Sequence, residues 1–346
     1  GYKAGLWCDH RTGEGGDLVS LYAKHYGLNY VEAAKKLFSE RNIQEIPKSV
    51  LAKTQVATKN LQQKVDEQAR AKSIQQATKL YNSAQPIAGT LAEKYLGNVR
   101  DINYGVPIDF KFVPRCWHKD LRAPKPALLI PAYDANGKLQ SVNRIYLGSD
   151  GNKLNMAVKS PSNRLIQATQ KAVLGPSKAA TVFINKAAGS TVTYLTEGVE
   201  NALSVKKSIS NANISSCFGI GQLKNISLSP ETKTVVICAD NDGINFATKK
   251  ALEQSVAKFL DSGLEVKLTV PLGKDPSARY DYNQMLTYKG VNAIRSSLNQ
   301  AVLIKSVTDL GGDNIHLSKA YINLCAKQYG REIDLKAKNK DLEVER

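Results

Sequence analysis

The stretch that decides the fold is Thr191–Gly243, TVTYLTEGVENALSVKKSISNANISSCFGIGQLKNISLSPETKTVVICADNDG. It holds two apolar runs of strand-forming residues. Thr191–Leu195 leads into Thr196-Glu197-Gly198, and Thr234–Ala239 leads into Asp240-Asn241-Asp242-Gly243. A helix-like segment follows each run, which predicts parallel strands joined by crossover helices. Open α/β sheets place ligands beyond the carboxyl ends of such strands, and here those ends carry acid. Asp240 and Asp242 are two apart just past a strand, so both can point one way, and Glu197 comes from the neighbouring strand end. Three hard oxygen donors around one cleft suit Mg²⁺ or Mn²⁺, which take carboxylates, waters and phosphate oxygens. Asp-x-Asp-Gly on its own is equally a loop or a helix cap; Glu197-Gly198 at the earlier strand end is what turns the reading towards metal.

The segments LTEGVENALSV and VVICADNDGINFATKKA resemble the Toprim domain of bacterial-type primases, topoisomerases and some nucleases, with Glu-Gly after one strand and Asp-x-Asp after a later one. The flanking residues are most similar to its plasmid and phage primase-like branch, through a Glu-Gly-x-Glu-x-Ala-Leu and an Ala-Asp-Asn-Asp signature. The resemblance extends from about Pro86 to Leu303. It implies that Glu197 is a metal ligand or general base, and that Asp240 and Asp242 are metal ligands of the same catalytic site. In GKDPSARYDYNQML, Asp281-Tyr282-Asn283 resembles an Asp-aromatic-Asn-Asp segment that trails domains of this branch, with Gln284 where the last Asp would stand. Asp281 is then either a fourth acidic metal neighbour or the N-cap of the following helix.

At 346 residues the chain is long enough for two or three domains and a substantial core. Its formal charge of +17 favours a polyanionic partner or an acidic surface. Residues 100–196 carry fourteen Lys/Arg against five Asp and no Glu, a net of +9, so about half the excess precedes the acidic cluster. No apolar run approaches the length of a membrane span. With no signal-peptide pattern, and with five scattered cysteines lacking a Cys-x-x-Cys, the reducing cytoplasm is the expected location. The chain begins at Gly1 without an initiator Met, which reads as a fragment or a processed chain.

In chain order, residues 1–48 read as a small module with an aromatic strand-like piece, a Gly-rich turn and two short helices. The stretch resembles the tail of the zinc-ribbon module at the front of primases. Zinc requires four ligands and only Cys8 and His10 are near, so either the remaining ligands lie upstream of Gly1 or the module has lost its metal; zinc is not expected in this chain. Residues 49–85 read as a helical linker of net charge +4. Residues 86–180 form a basic α+β region, with ALLIPAYDANGKLQSVNRIYL predicting a hairpin turned at Asn136-Gly137. Arg144 takes the place of an Arg that precedes Toprim in the resembling primases, and Lys153, Lys159 and Arg164 lie downstream. These four are the candidate nucleotide- and nucleic-acid-binding cations. Trp117, Tyr133 and Tyr146 are either core residues or platforms for unpaired bases. Residues 181–303 are the Toprim-like domain, with helices expected over Asn245–Ser262 and Val291–Val302, and residues 304–346 are a helical and charged tail. There is no Walker phosphate loop, so no helicase motor is encoded.

The expected fold is α/β: a mainly parallel Toprim-type sheet flanked by helices, preceded by a basic α+β region and a small N-terminal helical module. The resemblance implies a DNA primase-like nucleotidyltransferase of plasmid, conjugative-element or phage replication, using single-stranded DNA, nucleoside triphosphates and Mg²⁺ or Mn²⁺, with a helicase or relaxase in the same or a partner chain. Two other classes stay open. One is a metal-dependent nuclease built on the same carboxylates, and the other is a non-catalytic single-strand-binding module of a larger mobilisation or replication protein.

Overall fold

Along Thr234–Cys238 successive side chains turn to opposite sides: Val235 and Ile237 enter one core, Val236 and Cys238 another, and all four are buried. A strand covered on both faces is what an unbroken run of β-branched residues encodes. The computed structural model places this strand inside a six-stranded sheet with helices on both sides. It describes residues 6–9, 14–39, 48–159, 164–243, 245–311 and 315–329. The fold is α/β, and the chain divides into two compact units, residues 1–69 and 70–346.

In the first unit, β1 (Leu6–Asp9) and β2 (Glu14–Asp17) form an antiparallel hairpin ahead of α1 (Leu18–Tyr26) and α2 (Tyr30–Ser39). Asp17 caps α1 by accepting the Ser20 N–H at 2.8 Å, and Gly27 ends it at φ +65°. The strand-like piece expected at the front of this module pairs as a hairpin ahead of the two helices. His10 and the Cys8 side chain, the two candidate zinc ligands, lie outside the described residues.

A long helix, α3 (Lys48–Asn82), follows, and its C-terminal part belongs to the second unit. There Ala77 packs with Val113, Leu129, Val142 and Tyr146 on one face of an antiparallel sheet of order β3-β4-β5-β6-β9. Its strands are β3 (Gln85–Pro86), β4 (Lys111–His118), β5 (Ala123–Tyr133), β6 (Leu139–Tyr146) and β9 (Lys171–Leu174), with the short helix α4 (Leu91–Lys94) after β3. Strands β7 (Ala157–Lys159) and β8 (Leu165–Gln167) form a separate ribbon. The β5–β6 hairpin forms, but Tyr133 pairs with Leu139, so its loop is Asp134–Lys138 rather than a two-residue turn. The Asp134 carboxylate holds that loop by accepting the Asn136 and Lys138 N–H groups at 3.0 and 2.9 Å.

The six-stranded sheet has the order β10-β12-β11-β13-β14-β15. Its members are β10 (Val182–Asn185), β11 (Val192–Thr196), β12 (Asn213–Ser216), β13 (Thr234–Cys238), β14 (Glu265–Thr269) and β15 (Val302–Ile304). The four inner strands are parallel and the two edges antiparallel. On one face α5 (Val199–Ser208) and α7 (Tyr282–Asn299) share a core with the antiparallel sheet, in which Leu128, Ile130 and Ile145 meet Val182, Leu203 and Ile294. On the other, α6 (Phe246–Asp261) and α8 (Leu317–Tyr329) cover Val235, Ile237 and Leu268. Thr196 pairs with Cys238, so Glu197 and Asp240 leave adjacent parallel strands side by side.

The helix expected over Val291–Val302 needs correction. It ends at Asn299, begins at Tyr282 and is interrupted at Gly290 (φ +75°), while Val302 belongs to β15, where Val-Leu-Ile favours an edge strand. The charged tail from residue 330 onward lies outside the described residues. Among the described residues no helix is long and apolar enough to cross a membrane.

Gly175 carries the chain out of β9 at φ +98°, and a Cβ there would meet the Gln140 carbonyl oxygen at 2.3 Å. Gly175→Ala should therefore destabilise the second unit by about 2–4 kcal/mol through backbone strain and overpacking, read as a lowered urea midpoint with unchanged slope. A change below about 0.5 kcal/mol would show that the loop can rearrange.

Candidate active site

The carboxyl ends of β11 and β13 open onto a cavity of about 380 Å³ between the parallel and antiparallel sheets. Glu197, Asp240 and Asp281 line it from the six-stranded side. Asp240 accepts a hydrogen bond from the Asn201 amide at 2.6 Å, and Asn201 Oδ1 in turn takes the Asn283 N–H at 3.0 Å. Burial, then the neighbouring charges of Glu197, Asp281 and Asp242, push the Asp240 carboxyl well above its ordinary range. Burial and the Asp242 charge also raise Glu197. Asp242 thus bears on both residues electrostatically, although it is not on the cavity wall.

Asp281 is a helix N-cap as well as a wall residue. It accepts the Gln284 N–H at 2.7 Å, and Gln284 Oε1 accepts the Asp281 N–H at 3.0 Å. The Gln that departs from the Asp-aromatic-Asn-Asp pattern is the reciprocal half of this capping box.

Arg100, Lys153 and Lys171 line the facing side. They gather around Glu200, whose position in the first turn of α5 also suits the helix dipole. Lys153 Nζ and Lys171 Nζ each lie 2.9 Å from Glu200 Oε1, and the Tyr95 hydroxyl donates to the same oxygen at 3.0 Å. Arg100 Nε donates to the Tyr95 hydroxyl at 2.8 Å, and Asn283 ties Arg100 to α5 by accepting from its guanidinium at 3.2 Å and donating to Ser204 Oγ at 3.1 Å. Burial alone would lift the Glu200 carboxyl, but the two ammoniums hold it well below the usual carboxylate range. Burial lowers Lys153 to about 8 despite Glu200, whereas at Lys171 the attraction of Glu200 outweighs burial.

Four carboxylates and three cations therefore face one space, with a fifth carboxylate, Asp242, close behind. The excess of negative charge on the Glu197/Asp240 side suits a bound cation. Among the described residues no three His, Cys, Asp or Glu side chains stand in a ready ligating group. That donor set fits Mg²⁺ better than an all-protein cage, because Mg²⁺ takes one or two carboxylates and fills its remaining positions with water and substrate phosphate.

The predicted cations divide. Lys153 is on the cavity wall. Arg144 is not: Asn143 lines the cavity and Arg144, next along β6, turns to the opposite face, donating to the Ala172 carbonyl at 3.2 Å and lying over Tyr146. Lys159 and Arg164 are exposed beside the β7–β8 ribbon, away from the cavity wall. Tyr146 is a core residue, Trp117 is exposed, and Tyr133 is half-buried. Arg100, Lys171, Glu200 and Asn201 escaped sequence reasoning. Glu200 and Asn201 stand inside the quoted LTEGVENALSV signature, but Arg100 and Lys171 carry no motif.

Comparison with known proteins places two family matches on the chain. Residues 192–292 match the family model of the Toprim domain, and residues 71–183 match DUF7146, a domain of unknown function. A search of curated proteins finds no match. Among solved structures, the Aquifex aeolicus primase (zinc-binding and RNA polymerase domains) is similar at 15% identity and TM-score 0.43, over 96% of this chain and 86% of that one. The DnaG primase catalytic domain bound to ssDNA is similar at 13% identity and TM-score 0.45, over 70% and 83%. The E. coli primase catalytic core is similar at 12% identity and TM-score 0.44, over 69% and 83%.

Two outcomes follow from the electrostatics. Glu200→Ala would leave two lysines without their shared counter-ion and should cost on the order of 3–5 kcal/mol in urea unfolding; a loss below 1 kcal/mol would mean that water replaces the carboxylate. Asp240 and Glu197 have folded-state pKa values above their unfolded ones. The stability they contribute is complete below the unfolded values near 4 and is lost as pH rises through the folded ones. Without metal, Asp240→Asn should therefore raise Tm at pH 7, by about 2–4 °C for each ~1 kcal/mol relieved. The gain should vanish as pH falls towards 4, and a gain that persists there would contradict the assignment.

Proposed function

We propose that this Toprim-domain protein is a DNA primase-type nucleotidyltransferase that makes primers on single-stranded DNA during replication. The observation that carries the reading is the division of one cavity into an acidic wall, Glu197, Asp240 and Asp281, and a cationic wall, Arg100, Lys153 and Lys171. Toprim domains generally bind divalent cations such as Mg²⁺. In this chain Glu197, Asp240 and Asp242 would hold the ion, one or two of them directly and the rest through water, with Asp281 a further acidic neighbour. An ion held by these carboxylates would supply positive charge to offset the negative charge of phosphate oxygens.

The remaining work falls to the protein. Lys153 and Lys171 share a single carboxylate, and Arg100 is held by the neutral Tyr95 and Asn283, so this wall keeps an excess of two positive charges for a triphosphate. Asn201 and Asn283 fix Asp240 and Arg100 against the same helix, α5, so the two walls keep their spacing. Burial of Glu200 strengthens the charge interactions it makes with the two lysines. Exposed Lys159 and Arg164 on the basic side are suited to the phosphates of a template strand. A setting in plasmid, conjugative or phage replication, and a helicase or relaxase partner, belong to the same reading through the resemblance of the Glu-Gly and Asp-x-Asp signatures.

Incubation with single-stranded DNA, labelled NTPs and Mg²⁺ should give short oligonucleotides, and Asp240→Ala with Asp242→Ala should abolish them while strand binding persists. Shortening of the template instead of synthesis would assign a nuclease. Binding with neither product, unchanged in the double variant, would assign a non-catalytic module.

A further inference from the structure

A second cavity, of about 340 Å³, lies at the edge strand β10 and the end of β5, and nothing in the proposed chemistry uses it. Two aromatic rings line it. The Tyr133 and Phe183 rings lie with centroids 6.5 Å apart and planes 22° from parallel. That is close to the outer limit of direct ring stacking. A flat ring inserted between them would need ~7 Å, at about 3.5 Å per contact, so the two side chains must part by at least about half an ångström to admit one.

The walls of the slot are anchored from below. Tyr133 and Thr181 exchange two backbone hydrogen bonds at 2.8 Å, which fixes the end of β5 against the start of β10. The Tyr133 hydroxyl donates to Asp109 Oδ2 at 2.7 Å, and the Tyr81 hydroxyl donates to the Asp109 carbonyl at 2.7 Å. Asp109 Oδ1 has no hydrogen-bond partner among the described residues, and the residue lines the cavity. Lys186, exposed, stands 4.2 Å over the Phe183 ring. A flat, donor-bearing ring next to a phosphate would therefore meet two π-faces, one carboxylate acceptor and one cation.

We propose that this cavity is a stacking slot for an unpaired nucleobase carrying an exocyclic amino group: adenine, cytosine or guanine. The carboxylate of Asp109 accepts from the amino group, while thymine would turn carbonyl oxygens towards it. Phe183 is level with Ser215, and Ser215 with Leu195, two residues before Glu197. Strand spacing and rise place the slot about 12 Å from the acidic strand end, on the order of two to four stacked nucleotides. The slot extends the single-strand reading above, on which it depends only for the occupant.

The test is fluorescence anisotropy with labelled dA12, dC12, dT12 and a fully abasic 12-mer, together with calorimetric titration of dAMP. Phe183→Ala should weaken dA12 and dC12 roughly tenfold, leave the abasic strand unaffected and keep the same salt slope, since no phosphate contact is lost. Phe183→Leu, which keeps apolar bulk without a π-face, should behave like Phe183→Ala at unchanged Tm, and Phe183→Trp should restore binding. Asp109→Asn should erase the preference for dA12 over dT12. Loss of dAMP binding with dA12 untouched would assign the slot to free nucleotides, and no effect on either would overturn it. Primer synthesis with Phe183-independent binding sinks the slot alone, whereas Phe183-dependent binding without synthesis sinks the primase reading alone.

Discussion

Everything around the first cavity hangs on the burial of one carboxylate, Glu200, between cations from another part of the chain. A fully buried charge is tolerable only when opposite charges and hydrogen-bond donors replace its lost water. Lys153, Lys171 and Tyr95 supply them, and each comes from the basic α+β segment rather than from the parallel sheet. The ion pairs therefore do more than neutralise. They fix which face of the antiparallel sheet meets α5, and so set the distance between lysines on one wall and carboxylates on the other.

Two opposite electrostatic situations then exist within a few residues. In the first turn of α5, Glu200 has more counter-charge than it needs and stays ionised. At the strand ends, Asp240 and Glu197 have less than they need and are pushed towards protonation by burial and by one another. The first arrangement is finished and structural, while the second is left incomplete. Perturbed groups gathered in a cleft are where function concentrates, and here the unbalanced half faces the same space as lysines with charge to spare.

The acidic half was readable in the sequence for a simple reason. Adjacent parallel strands in register bring their ends together, so two apolar runs each closing on acid place Glu197 and Asp240 side by side without further information. The cationic half was not readable in that way. Arg144 fits a sequence pattern, but strand parity turns it to the face under α3, while Asn143 takes the inward position. Lys171 reaches the site only because β9 pairs with β6, a long-range antiparallel contact that no local motif announces. Asp281 is the helix cap, and because the capping box uses one of its oxygens the residue still lines the cavity beside the other carboxylates.

The shared ion cluster also bears on how such a chain is inherited. The match to the Toprim model starts at residue 192 and the match to the preceding domain ends at residue 183, as though the two were separable pieces. Glu200 lies on one side of that seam and its lysines on the other. Recombination at the seam with an unrelated neighbour would strand a charge inside an apolar interior, so the two segments are constrained to travel through evolution as one.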